Sequence, residues 1–230
     1  MKSLQKLFQS TLIILFITIA ACQTKTEKTP LIVPEGKIGL IGYGSLTSKE
    51  NVMDQLGHPY HDSLYYVHLN GFIREWNFVG SNMDPNLPKE LLEYDSYYLH
   101  GEDTLPFQQS IFLNIMSDSS QKINCVLYFI DESELTEIDK MEIGYDRIEV
   151  SSSIIEYAIS GGPVYAYKAK PSYEYHTETD SLNSIIDLAY AELVFDAYDR
   201  LGKEARKEFD TSTKPFAPHL LAPVIRLKRK

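Results

Sequence analysis

Two things are scarce in this chain, cysteine and basic charge, and each scarcity excludes something. Cysteine occurs twice, at Cys22 and Cys125. At most one intrachain disulfide is therefore possible, and none if Cys22 is modified. Cys125 stands in the apolar run Asn124-Cys-Val-Leu-Tyr-Phe129, which suits a small core residue better than a nucleophile or a ligand. Acids outnumber bases 32 to 22. The basic face that nucleic acid requires is missing, so no nucleic-acid partner is expected. An anionic membrane is not held by charge either. The apolar run Leu12 to Ala21 is about half of the ~20 residues that cross a bilayer. No internal repeat occurs, and no long Pro/Gly/Ser linker marks a second domain. The histidines are scattered. His58-Pro-Tyr-His61 lacks an accompanying acid or cysteine pattern, so no metal site is expected.

The first residues read as a targeting segment. Lys2 and Lys6 precede the short apolar run, which ends in Ile19-Ala-Ala-Cys22. Basic residues, a short apolar stretch and small residues make a secretory signal. The cysteine directly after them resembles the lipobox of bacterial lipoproteins. That resemblance implies cleavage before Cys22, a diacylglyceryl group on its sulfur, and a membrane partner reached through the lipid. Gln23 replaces the aspartate often linked to inner-membrane retention. The expected location is the bacterial cell envelope, at the outer membrane, facing the periplasm or the surface. Residues 22–35 are polar, hold Pro30 and Pro34, and read as a tether. Residues 36–230 then form one domain with a real core.

Within that domain strands dominate. Lys37 to Gly42 reads as a first strand. Ser48 caps a short helix that stops at Gly57. Ser63 to Asn70 and Gly71 to Gly80 read as two strands, and Ser81 to about Leu92 as a loop. Ser110 to Met116, Lys122 to Ile130, Asp146 to Ile155 and Pro163 to Ala169 are further strands. Asp131 to Glu142 is a short helix. Asp180 begins the longest helix, which runs to Leu201 before Gly202, with more helix to Phe209. The tail from Pro215 is extended, and the basic residues Arg226 to Lys230 are solvated. Consecutive strands without intervening helices predict an α+β fold. The sheet is mixed and largely antiparallel, a small barrel or sheet flanked by helices.

Two constellations carry possible chemistry. Gly42-Tyr43-Gly44-Ser45-Leu46 lies between a strand and a helix, where glycines allow a sharp turn with exposed N–H groups. Such a turn can hold an anion or a developing oxyanion, and it can also be a plain tight turn. A dinucleotide loop is disfavoured because Thr47 stands where the third glycine belongs and no acid closes a second strand. A serine nucleophile at Ser45 lacks its Gly-x-Ser-x-Gly elbow.

The second constellation is Glu142. At about 100° per residue, Leu135, Ile138 and Glu142 fall on one stripe of the short helix. Burial and the C-terminal end of the helix dipole both disfavour the charged carboxylate. The acid is pushed towards what a general acid/base needs near neutrality. The competing reading is a helix-end glutamate paired with Arg147 or solvated.

Together the two constellations resemble the gamma-glutamylcyclotransferase-like (AIG2-like) family. Tyr43-Gly-Ser-Leu46 is similar to the family's opening motif. Val126 to Ile130, the Leu135-Thr-Glu-Ile-Asp139 helix, Glu142 and Tyr145-Asp-Arg147 are similar to its second block. Gly71-Phe-Ile-Arg74 and Pro163-Val-Tyr-Ala-Tyr167 fall where the family has strands. The resemblance implies a small-molecule substrate, a gamma-glutamyl amide or amine, that is cyclised to 5-oxoproline with release of the free amine. It implies Glu142 as the proton carrier, Tyr43, Gly44, Ser45 and Leu46 as the substrate-holding turn, and Tyr145 as a pocket wall. It implies no cofactor. The family usually follows its glutamate with glycine, whereas here Ile143 precedes Gly144. The alternative expectation is a non-catalytic lipoprotein that binds a carboxylated ligand in the same pocket.

Overall fold

The computed structural model describes residues 28–87, 89–175 and 183–229. The expected signal segment and lipidation at Cys22 lie outside the described residues. In chain order the elements begin with Thr29–Ile32 (β1), Lys37–Gly42 (β2), Lys49–Leu56 (α1), Tyr65–Ser81 (β3), Lys89–Leu92 (α2) and Tyr94–His100 (β4). Asp103–Pro106 (β5), Gln109–Asp131 (β6), Glu132–Asp139 (α3), Tyr145–Glu149 (β7), Tyr157–Ser160 (β8) and Val164–Ala169 (β9) follow. Ser184–Asp187 (β10), Leu188–Leu201 (α4), Lys203–Thr211 (α5), Leu221–Ala222 (β11) and Val224–Lys228 (β12) complete the order.

The main sheet runs β11-β10-β6-β2-β9-β7, with β3 also paired to β6. It is mixed. β2 is antiparallel to β6 and parallel to β9, and β6 is antiparallel to β3. The α+β class expected from the strand spacing is therefore the class observed. Period-two alternation sends the residues of β2 and β6 to two apolar layers. Ile41, Leu127 and Phe129 join one layer with Ala191, Val194 and Tyr198 of α4. Ile38, Leu40, Val126, Tyr128 and Ile130 join the other with Val52 of α1 and with Leu135 and Ile138 of α3. Helices on both faces explain why β2 reads as a continuous apolar run.

Several boundaries differ from expectation. The two strands expected between Ser63 and Gly80 are one strand, β3, and Ser110 to Ile130 likewise lies within β6. Gly71, at φ 90°, is the bulge that joins the halves of β3, with a register shift between Asn70 and Phe72. There Gly71 alone stands opposite residues 118–121 of β6, and the inward parity of β3 inverts across it. Val67 and Leu69 are buried before the bulge, and Phe72, Arg74 and Trp76 after it. Of the helix expected from Asp180, residues 180–182 lie outside the described residues, and the described helix starts at Leu188 because Ser184-Ile-Ile-Asp187 pairs as β10. β-branched residues favour that extended pairing. The Asp187 carboxylate then caps α4 by accepting from the Ala189 N–H at 3.0 Å. Part of the expected tether is folded: β1 pairs with β8, and Val33 is buried. The basic tail is not simply solvated. Arg226 to Lys228 lie in β12, antiparallel to β4, and Arg229 donates to Asp95 at 2.7 Å. Charge pairing along a strand edge replaces free solvation there.

The inward parity of β3 places Arg74 in the centre of the molecule, with no exposure. Its Nε donates to the Tyr43 carbonyl at 3.1 Å and its Nη1 to the Ser212 Oγ at 2.8 Å. Nη2 donates to the backbone and side-chain oxygens of Asn124 and to the Tyr198 hydroxyl. The rings of Tyr198 and Phe209 lie 5.0 Å from the guanidinium carbon. A buried charge is tolerated only when its donors are satisfied, and here neutral oxygens and ring faces satisfy them. Lysine lacks the planar fork needed to reach these acceptors. Arg74→Lys is expected to lower the unfolding free energy by about 3–5 kcal/mol, read as a lower urea midpoint. A midpoint matching wild type would refute this role.

Candidate active site

The strand β2 ends at Gly42, and the chain turns back over that residue at once. A Cβ on Gly42 would lie 2.1 Å from the Leu46 carbonyl oxygen, so only glycine permits the turn. Ser45–Thr47 form a single 3₁₀ turn, closed by Thr47 N–H to the Gly44 carbonyl at 3.0 Å. Ser48 then caps α1 by accepting from the Asn51 N–H at 3.2 Å. The Tyr43 carbonyl is held from below by Arg74 and lies 3.0 Å from the Tyr198 hydroxyl. Because the peptide is planar and trans, the Gly44 N–H points away from that anchor. The N–H groups of Gly44, Ser45 and Leu46 donate to no backbone acceptor among the described residues. The turn is therefore rigid and carries spare donors.

Glu142 stands opposite. α3 begins at Asp131 with a reciprocal capping box to Glu134. The helix ends at Asp139, earlier than expected, so Glu142 lies just past it. Its N–H still bonds the Ile138 carbonyl at 3.0 Å, and its carbonyl accepts from Tyr145 at 3.1 Å. The backbone is thus fixed on both sides of the carboxyl. Gly144 follows at φ 88°, and a Cβ there would come within 2.6 Å of the Tyr173 ring and 2.8 Å of Phe78. Ile143 simply precedes this obligatory glycine. Arg147 is drawn to Asp139 at 3.4 Å, and Tyr167 donates to Asp139 at 2.7 Å. The anticipated rival pairing of Glu142 with Arg147 does not form. Among the described residues the Glu142 carboxyl has no ion-pair partner.

Two hollows adjoin at this point. A small recess is bounded by Ile41, the turn Tyr43 to Leu46, Leu113, Glu142, Tyr145, Tyr167 and Tyr190. A larger cavity of about 370 Å³ shares Ser45, Glu142, Tyr145 and Tyr190 with it. All six residues singled out from sequence, Tyr43, Gly44, Ser45, Leu46, Glu142 and Tyr145, thus line one place.

Sequence reading missed the other walls. Tyr190 of α4 brings its hydroxyl to the Leu113 N–H at 3.3 Å. A register shift between Trp76 and Phe78 turns Phe78 away from the core and onto the cavity. Phe78 stacks on Tyr145 at 4.0 Å between centroids and on Tyr173 at 5.7 Å. The inward parity of β3 was the only local clue to Arg74. Nothing local marked Tyr190 or Phe78.

Burial is the main cause that raises the Glu142 carboxyl to about pKa 7, and the nearby Asp139 charge adds to it. Tyr43, Tyr145 and Tyr190 are pushed up chiefly by burial, so their hydroxyls stay protonated at neutral pH. The recess therefore offers one carboxyl poised between its two forms, backbone donors, and phenolic O–H groups.

No protein-family model matches the chain, and no curated protein sequence does. Among solved structures it is similar to one titled "Gamma-glutamyl cyclotransferase", with 12% identity, a TM-score of 0.49, and coverage of 79% of this chain and 91% of that one. An uncharacterized protein from Homo sapiens gives 13% identity and a TM-score of 0.48, covering 81% of this chain and 96% of that one. A protein from Arabidopsis thaliana solved in solution gives 16% identity and a TM-score of 0.37, covering 76% and 88%. Likeness at this level assigns no role to any residue.

The raised carboxyl has a consequence for stability. The unfolded chain releases this proton near 4.5, and the folded protein holds it to about 7. Between those values the native state binds the extra proton, so stability falls as pH rises through this window. Above it the full cost is present, on the order of 1–3 kcal/mol for a half-buried group. Glu142→Gln keeps the neutral shape. It is expected to melt like wild type at pH 4 and several degrees higher at pH 8. Parallel melting curves at both pH values would show that the carboxylate bears no such cost.

Proposed function

We propose that this protein is a cyclotransferase acting on gamma-glutamyl amides or amines, with Glu142 as the proton carrier. The observation that carries this reading is the shared recess, which the Glu142 carboxyl and the Gly44 to Leu46 turn with its spare N–H donors line together. The resemblance of Tyr43-Gly-Ser-Leu46 and of the Glu142 block to the gamma-glutamylcyclotransferase-like family supports the same chemistry.

Glu142, as carboxylate, takes a proton from the substrate's alpha-ammonium group. The freed amine attacks the gamma-carbonyl carbon, forming the ring C–N bond. The tetrahedral oxyanion accepts hydrogen bonds from the turn. Glu142 then gives the proton to the departing nitrogen as the original C–N bond breaks, and the second proton on the ring nitrogen passes through the same carboxylate to the released amine, leaving 5-oxoproline and the amine as its ammonium ion. A single group near pKa 7 serves both steps, because each form is well populated at neutral pH. Attack within one molecule needs only a folded pose, which the aromatic walls and the turn would impose. Lipid anchoring through Cys22 at the cell envelope belongs to the same proposal and rests on the sequence of residues 2–22 alone.

The full chain, incubated with a panel of gamma-glutamyl amides and amines, is expected to release 5-oxoproline. Glu142→Gln should lower kcat by about 10²–10⁴-fold. Equal product from both proteins removes the mechanism. Tight ligand binding without turnover would favour the non-catalytic alternative.

A further inference from the structure

The cavity beside the recess is the larger of the two hollows, and its chemistry is specific. Its volume of about 370 Å³ falls within the range of ordinary small-ligand pockets. Phe78, Phe112 and Tyr173 line its aromatic side, and Leu87, Leu91 and Met141 its aliphatic side. Leu91 is 47% exposed and Met141 54% exposed, so apolar surface faces water at the rim. Covering such surface is favourable by roughly 25 cal/mol per Å².

Charge on the lining is sparse and unsuited to an anion. Asp84 and Glu142 are acids, and Arg226 is the only cation among the described lining residues. Arg226 already faces the Asp187 carboxylate at 3.6 Å. One further group lacks a partner: the side-chain oxygen of Gln55, which is buried and lines the same cavity. An acceptor left without a donor is costly, and an N–H or O–H on a bound molecule would satisfy it.

Building on the cyclotransferase reading, we infer that the leaving group is an amine with a bulky aromatic or branched apolar body and no carboxylate. The gamma-glutamyl head lies against Ser45 and Glu142, which both hollows share, and the apolar body extends over Phe78 and Phe112 to Leu91 and Met141. A free amino acid as leaving group would place its carboxylate among two acids and an occupied arginine, which electrostatics disfavours.

The test compares three substrates that share the gamma-glutamyl head: the ethylamide, the phenethylamide and gamma-glutamylphenylalanine. With the full chain, kcat/KM for the phenethylamide is expected to exceed that for each of the others tenfold or more. Leu91→Asp, at the exposed rim, should reduce that preference. A flat ranking, or a preference for gamma-glutamylphenylalanine, overturns this inference and leaves the cyclotransferase reading standing. Absence of 5-oxoproline from all three sinks both.

Discussion

The structure depends on one buried guanidinium. Among the described residues Arg74 has no carboxylate partner, so its donors must be satisfied by groups fixed in place from several directions. Those groups come from the turn after β2, from Asn124 in β6, from Tyr198 in α4 and from Ser212 after α5. A charge in a weakly polarisable interior tolerates little displacement of its partners. The hub therefore ties the sheet to both C-terminal helices and fixes the carbonyl that orients the Tyr43–Leu46 turn. The site's donors are aimed by an interaction lying wholly on the other side of the peptide plane.

The opposite wall is built by a different device. Register shifts in β3 decide which side chains face the core and which face the cavity. The first, at Gly71, brings Arg74 inward, and the second puts Phe78 beside Tyr145 and Tyr173. Gly144 then lets the chain pass beneath those rings. The aromatic stack, the capped helix α3 and the Asp139–Arg147 pair hold Glu142 without touching its carboxyl. Asp139 takes the nearby cation and the Tyr167 hydroxyl, leaving Glu142 without a counter-ion among the described residues. Its charge state is set by burial more than by any partner, which suits a group that must both take and give a proton. Cys125 belongs to the same interior and is inert for the same reason: burial pushes its thiol up to about 12.

Much of this was legible locally. The apolar run of β2, the Ser48 and Asp131 caps and the glycine turn are properties of neighbouring residues, and each appears where its pattern indicates. The stripe of Leu135, Ile138 and Glu142 correctly turned the carboxyl inward, although the helix itself stops sooner. Misreadings arose where distant pairing overrode local pattern. The stretch 184–187 pairs as β10 because β6 and β11 lie beside it, and the basic tail becomes β12 because β4 offers an edge.

The sequence by itself determined the strand-rich mixed class, the strand β2, the caps of α1 and α3 and the two short motifs, because these follow from spacing and backbone sterics within a few residues. Only the tertiary structure decided that the motifs share one recess, that Arg147 serves Asp139 and not Glu142, and that Arg74 anchors the turn. It also supplied Phe78, Tyr173 and Tyr190 as walls. Those facts rest on contacts between residues far apart in the chain and on strand register, which a single inserted residue reverses.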